Sequence, residues 1–358
     1  MLLSERFFIH GRSARVRKSA QQPANDQSRR QSVLRLVLCA VVLVISLVAS
    51  LALGAKSIEW PVVVNSLLGN LHDADSIIVL QSRLPRTLLG LLVGIALGIS
   101  GLLIQSISGN PLAEPGILGV NAGASFAVVL GISLFSVHSP LLYWFCAFSG
   151  AMLTSLAVYA IGRFGVQQMD PVRFILVGVA VGAVLTGFSS GLTLLNPAAF
   201  DQFRFWSAGS LDIRDLDRAL LALPGVLSGT LLALYLSRSL NALSMGEELA
   251  ATLGSRPLLT QSLALLAIAL LCGTATAAAG PITFVGLMIP HLARRIVGND
   301  HLLLVPCVLL TAPILLLWSD IVGRVIIAGE LRVSIVTAFI GAPVLIWLAR
   351  RQTSPGRQ

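Results

Sequence analysis

Apolar positions in this chain come in long unbroken blocks parted by short polar breaks. Most blocks run about 17 to 25 residues, the length that crosses a bilayer as helix. The period-two alternation of a membrane β-strand is absent. The pattern predicts ten spans: Leu36–Ala55, Thr87–Ile107, Ile117–Val137, Leu141–Ile161, Phe174–Leu195, Leu220–Leu236, Leu258–Ala279, Ile282–Ile296, Leu302–Trp318 and Val333–Leu348. Only "AAAGP" at 277–281 parts the seventh from the eighth, and the eighth is short. Fusing them would put Arg350, Arg351 and Arg357 on the outer side, against the rule that cytoplasmic flanks are basic, so ten are kept. The expected fold is an all-α polytopic membrane protein.

Composition agrees: 55% of residues are hydrophobic and 11% charged, too few polar groups to cover a soluble fold of this size. The formal charge of +9 is unevenly placed. Eight of the 25 basic residues precede the first block (Arg6, Arg12, Arg15, Arg17, Lys18, Arg29, Arg30 and Arg35), which argues for a cytosolic N-terminus rather than for nucleic acid. Residues 1–31 lack the apolar core and cleavage site of a signal peptide and read as a disordered basic cytoplasmic tail. Residues 32–351 form the membrane domain, and 352–358 a short cytoplasmic tail. Cys39, Cys146, Cys272 and Cys307 lie in or beside apolar blocks without CxxC pairing, and the five histidines are scattered, so no metal site is expected.

Span parity places the loops. "RLPRT" at 83–87, "RFWSAGSLDIRD" at 204–215 and "DIVGR" at 320–324 fall outside, and "MGEELAATLG" at 245–254 falls in the cytosol. Gly90, Gly94 and Gly98, and then Gly178 and Gly182, recur at the four-residue spacing that lets helices approach closely. Chemistry is sparse. The chain has two lysines, Lys18 and Lys56, and neither completes a Walker A motif. Glu114, Asp320 and Glu330 fall at span ends, whereas ion-coupled carriers need ionisable groups in mid-membrane. No arginine ladder or selectivity filter suggests a channel. Transport by this chain would draw its energy from another protein.

"MGEELAATLG" stands out. Met245, Leu249 and Leu253 make one apolar stripe of a short helix. Glu247 and Glu248 occupy its first turn, favourable to the helix dipole, and Gly254 with Pro257 ends it. A linker helix resting on its own bundle and a helix offered to a partner both fit. Prolines and glycines in "GNPLAEPG" at 109–116 fix a rigid turn, with no function implied by that alone. Arginines at outer span ends (Arg83, Arg86, Arg204, Arg214, Arg218, Arg324 and Arg332) either snorkel to headgroups or meet a partner. His291 in "IPHLARR" reads as a helix-end packing residue.

Three long stretches carry a family resemblance: "RLPRTLLGLLVGIALGISGLLIQSISGNPLAEPGILGVNAGAS" at 83–125, "GPITFVGLMIPHLARRIVGNDH" at 280–301 and "SDIVGRVIIAGELRVSIVTAFIGAPVLIWLARR" at 319–351. They resemble the iron-siderophore and cobalamin permeases of ABC importers, the FecCD family, and the likeness covers nearly everything from residue 36 on. "LNPAAFDQFRFWSAGSLDIRDL" at 195–216 looks most like the branch that carries ferric enterobactin.

The resemblance implies a type II importer. It has two ten-helix permeases, two cytosolic ATPases holding ATP and Mg, and a periplasmic binding protein. The permease itself is not an enzyme and binds no cofactor. Gly246, Glu247, Glu248, Leu249, Ala250, Leu253 and Gly254 would then form the helix that seats in an ATPase cleft. Arg83, Arg86 and Arg324 would receive acidic knobs of the binding protein, for which the guanidinium fork is suited. Asn110 and Leu112 would narrow the cytoplasmic gate, with Asp170 and Pro171 facing them. The substrate path would run along the fifth span, between this permease and a second, related one. The expected setting is the bacterial inner membrane, both termini cytoplasmic, and the expected cargo a ferric catecholate. Within the family cobalamin or haem is the other cargo. Outside it, a self-sufficient secondary transporter is the competing class.

Overall fold

A computed structural model describes residues 22–54, 56–69, 73–135, 139–164, 171–326 and 330–352. Among these residues every regular element is a helix: α1 (Gln22–Ala52), α2 (Trp60–Leu67), α3 (Ala74–Ser108), α4 (Val120–Phe135), α5 (Pro140–Arg163), α6 (Pro171–Leu195), α7 (Pro197–Ser207), α8 (Leu216–Leu243), α9 (Glu247–Thr252), α10 (Pro257–Ala279), α11 (Val285–Val297), α12 (His301–Ile326) and α13 (Val333–Gln352). A π-helical turn, Val79–Arg83, lies within α3, and a 3-10 turn, Pro115–Leu118, leads into α4.

Each predicted span has a helix beneath it. Among the described residues seven helices are long and apolar enough to cross a membrane: α1, α3, α5, α6, α8, α10 and α12. The apolar helices Val120–Phe135 and Val333–Ile346 are shorter. α11 has 13 residues, a rise of about 20 Å against a hydrocarbon core of ~30 Å. The seventh and eighth spans are separate helices. α10 stops at Gly280, whose φ is +75°, and Phe284 at φ +70° precedes the first turn of α11. The tail differs from expectation. Residues 22–31, expected to lack structure, form the first turns of α1, and residues 1–21 lie outside the described residues.

α3 is the central helix and packs against α8, α10, α11 and α12. Lipid offers helices no hydrophobic drive to associate, so close backbone contact has to supply the attraction. The glycine stripe supplies it. A Cβ on Gly94 would lie 2.6 Å from Pro313 Cα, and one on Gly98 would lie 2.4 Å from Ala312 Cβ, both on α12. One turn farther, a Cβ on Gly101 would meet the Gly286 carbonyl of α11 at 1.9 Å. A second group joins α4, α5 and α6 through Gly123 and Gly150, which face each other, and Gly178, which abuts the Ile117 carbonyl. α1 and α13 lie on the flank of α12. The bundle therefore has two ends, one at Arg83 and Arg324, the other at Asn241 and Asp300.

Candidate functional site

At the second end, α8 is joined to α10 by the segment around α9. Gly246 (φ +105°) and Gly254 (φ +82°) bracket it, adopting backbone angles that glycine reaches without a Cβ penalty. Ala250 is wholly buried against the bundle, and Glu247 Oε1 accepts a hydrogen bond from Gln261 Nε2 of α10 at 2.8 Å. The other face is open: Met245 is 65% exposed, Leu249 57% and Leu253 67%. The six-residue helix and its flanks thus present three large apolar side chains on one open face. Beside it, Asn241 at the end of α8 joins α12 to α3. Its Oδ1 accepts from the His301 backbone N–H at 2.8 Å and lies 2.8 Å from His301 Nδ1, and His301 Nε2 lies 2.7 Å from Ser106 Oγ.

The turn at 109–116 is clamped on α11. Gly109 (φ +61°) ends α3, and Asn110 Oδ1 accepts from the Leu112 N–H at 2.9 Å. His291 Nε2 donates to the Pro111 carbonyl at 2.8 Å, and Leu112 packs on Leu287 and Met288. Glu114 Oε1 accepts from the Phe284 N–H at 3.0 Å, capping the strained start of α11. Burial pushes the Glu114 carboxyl above its ordinary range, and the Phe284 N–H pulls it partly back. Gln105 completes the clamp: its Nε2 donates to the Leu287 carbonyl at 3.2 Å and its Oε1 accepts from Arg294 Nη1 at 2.7 Å. Pro171 opens α6; Asp170 lies outside the described residues.

Along α6 runs a groove of about 410 Å³, walled by Asn121, Ala122 and Ser125 of α4 and by Gly178, Gly182, Thr186, Ser189, Ser190 and Thr193 of α6. Its polar groups are an amide and hydroxyls, with no formal charge among its lining residues. Ser189, Ser190 and Thr193 donate to carbonyls of their own helix.

At the arginine end, Arg83, Arg86 and Arg324, expected to meet a binding protein, have buried side chains engaged within the chain. Asp320, 1% exposed, receives Arg86 Nε at 3.0 Å and Nη2 at 2.8 Å. Arg324 Nε lies 3.1 Å from Asp320 Oδ2, an ion pair without hydrogen-bond alignment, and its Nη2 donates to Ser50 Oγ at 3.1 Å. Arg83 donates to the carbonyls of Leu51 at 2.7 Å and Ala52 at 2.6 Å, and to that of Lys56. The guanidinium groups thus fasten α1, α3 and α12 together. The exposed rim consists of Glu330, which accepts from Arg86 Nη1 at 2.7 Å, Asp212 at 3.8 Å, and Arg204 and Arg218 farther out.

Comparison with known proteins places the molecule. Residues 42–351 match the model of the FecCD transport family. The chain belongs to the FecCD transport family. The ferric enterobactin transport system permease protein FepD of Escherichia coli (strain K12) is 55% identical over 316 residues, covering 88% of this chain and 95% of that protein. The hemin transport system permease protein HmuU of Yersinia pestis is 36% identical over 330 residues, covering 90% of this chain and 97% of that one. A solved inward-facing conformation of a metal-chelate type ABC transporter superposes with a TM-score of 0.76 at 30% identity, covering 89% of this chain and 99% of that one.

Within this FecCD fold the residues singled out by sequence fall into distinct places. Gly246 to Gly254 form one exposed unit, and Asn110 and Leu112 sit on one rigid turn at the same end. Arg83, Arg86 and Arg324 gather at the other end as interior groups. Sequence reasoning missed Asp320 as the counter-ion of Arg86 and Glu114 as a cap. It also missed the Asn241–His301–Ser106 link. Asp320 four residues before Arg324 was the one legible hint, since opposite charges at that spacing share a helix face.

Proposed function

We propose that this chain is the membrane permease subunit of an ATP-driven importer that carries a ferric catecholate siderophore of the enterobactin type into the cytoplasm. The carrying observation is the 55% identity to FepD, end to end over nearly the whole of both chains. In this reading the chain crosses the bacterial inner membrane ten times, with both termini cytoplasmic. It catalyses no reaction and holds no cofactor; ATP and Mg belong to the partner ATPases. Two such ATPases, a second FecCD-type permease and a periplasmic siderophore-binding protein complete the machine.

The site geometry supports a division of labour. The stripe of Met245, Leu249 and Leu253 seats in an ATPase cleft, and the bracketing Gly246 and Gly254 carry the helix as one piece. The turn at Asn110 and Leu112 gates the hydroxyl-lined groove along α6, with the start of α6 at Pro171 opposite. The binding protein meets the exposed rim of Asp212, Glu330, Arg204 and Arg218, while Arg83, Arg86 and Arg324 hold that rim from beneath.

The test is uptake in a strain lacking only this gene, comparing labelled ferric catecholate, ferric hydroxamate and cobalamin. Selective loss of ferric catecholate uptake, restored by the gene, is the expected result. Selective loss of another cargo would refute the cargo. Uptake that survives without any ATPase and collapses with the proton gradient would refute the mechanism.

A further inference from the structure

Apart from the groove along α6, which the function proposed above makes the transport path, the protein has a larger cavity. It measures about 790 Å³ and lies between α1, α11, α12 and α13. Its walls are almost wholly apolar, with Leu38, Val42, Met288, Leu315, Trp318 and Val344 among them. One end is different. Arg295 and His291 line it there, and Arg35, one turn before Leu38, reaches across to donate to the Ile296 carbonyl at 2.6 Å. That end is the one bearing Asn241, Asp300 and the exposed helix α9.

We propose that this cavity holds one acyl chain of an acidic phospholipid from the cytoplasmic leaflet, with the phosphate seated between Arg35 and Arg295. Three observations converge on that occupant. The cavity opens on the flank of the bundle, beside α1, one of the two least buried spans. Its far end is marked by Trp318, whose indole donates to Ser46 Oγ of α1, 11 residues beyond Arg35, a rise of about 16 Å. One leaflet contributes half of a ~30 Å core, so a whole chain fits. Both arginines are exposed and stand at the apolar mouth, where a basic pair selects an anionic headgroup over a zwitterionic one.

The lipid would also touch the gate. His291 lines the cavity and holds the Pro111 carbonyl of the turn at 109–116. Filling the cavity therefore steadies the helix face that clamps this turn.

Trp318 makes the proposal measurable. In the full-length chain with Trp60, Trp144, Trp206 and Trp347 each changed to Phe, Trp318 is the sole tryptophan. Its fluorescence is followed in bilayer discs as brominated-chain phosphatidylglycerol or brominated-chain phosphatidylcholine replaces unlabelled lipid. Phosphatidylglycerol is expected to quench at a lower mole fraction. Arg35→Ala and Arg295→Ala should each reduce that preference about fivefold, and Arg295→Lys should retain it. Coincident curves for the two lipids, or a preference that survives in the double alanine variant, would overturn the proposal. So would absence of quenching by either lipid, which would mean that protein covers the cavity.

Discussion

Replacing Asp320 with alanine tests whether the arginine end is an internal fastening. Asp320 is 1% exposed and is the shared counter-ion of Arg86 and Arg324. Its removal leaves two buried guanidinium groups facing each other. Arg86 retains Glu330, which is 40% exposed and held by a single hydrogen bond at 2.7 Å. Among the described residues Arg324 retains hydrogen bonds to the Ser50 carbonyl and hydroxyl at 3.2 and 3.1 Å. Stripping one partner from a buried ion pair costs about 3–5 kcal/mol, at least two orders of magnitude in the folding equilibrium. The assay is the unfolding midpoint of the purified full chain titrated with SDS in mixed micelles, followed by far-UV circular dichroism. The reference is Arg218→Ala, which breaks the exposed Arg218–Asp215 pair of 2.9 Å and should cost less than ~1 kcal/mol. Arg86→Ala with Asp320→Ala should destabilise less than the sum of the two single changes, because the pair leaves together. If Asp320→Ala unfolds at the same midpoint as Arg218→Ala, the buried network contributes nothing and the argument fails.

Further outcomes follow from packing and exposure. Gly101→Ala should prevent accumulation of folded protein, since its methyl group would overlap the Gly286 carbonyl; normal yield and midpoint would mean the α3–α11 crossing has slack. Leu249→Asp should leave the unfolding midpoint unchanged and weaken co-purification of an ATPase by about 30-fold, the loss typical of an interface anchor worth ~2 kcal/mol; undiminished capture would refute the partner role of α9. Glu114 titrates above its ordinary value of 4.5 when folded. The folded state therefore binds its proton first, and stability should rise as pH falls from that raised value to 4.5, then level off. Glu114→Gln keeps an acceptor for the Phe284 N–H and should remove this pH dependence, read as midpoints measured across the acid range.

The seven long apolar helices were legible because a membrane helix must be apolar along its whole length, a signal that needs no partner to be read. The glycine stripe was legible for a related reason: Gly90, Gly94 and Gly98 share one face whatever packs there, and that face meets α12. The short helix at Glu247–Thr252 was legible because its polarity contrasts with its surroundings. The arginine end was not. A cation at a span end looks the same in sequence whether it points outward or inward, and the partner that decides the matter lies 234 residues away. Arg83 is held by backbone carbonyls of Leu51, Ala52 and Lys56, which no residue pattern records. The clamp on the turn at 109–116 escaped for the same reason, since Glu114 acts on a backbone N–H 170 positions away.

The setting of α9 has a consequence for how such permeases can be rewired. Within Gly246–Gly254 one residue, Ala250, is buried, and one side chain, Glu247, is bonded to the bundle. Neither bracketing glycine has any atom within 4 Å of where a Cβ would stand. The segment is thus joined to the bundle at two points, Ala250 and Glu247. Its nine residues can be exchanged as a block, keeping the two glycines, the alanine and the glutamate, with little disturbance to the membrane helices. With the ATPase contact proposed for this segment, choice of motor becomes separable from choice of cargo.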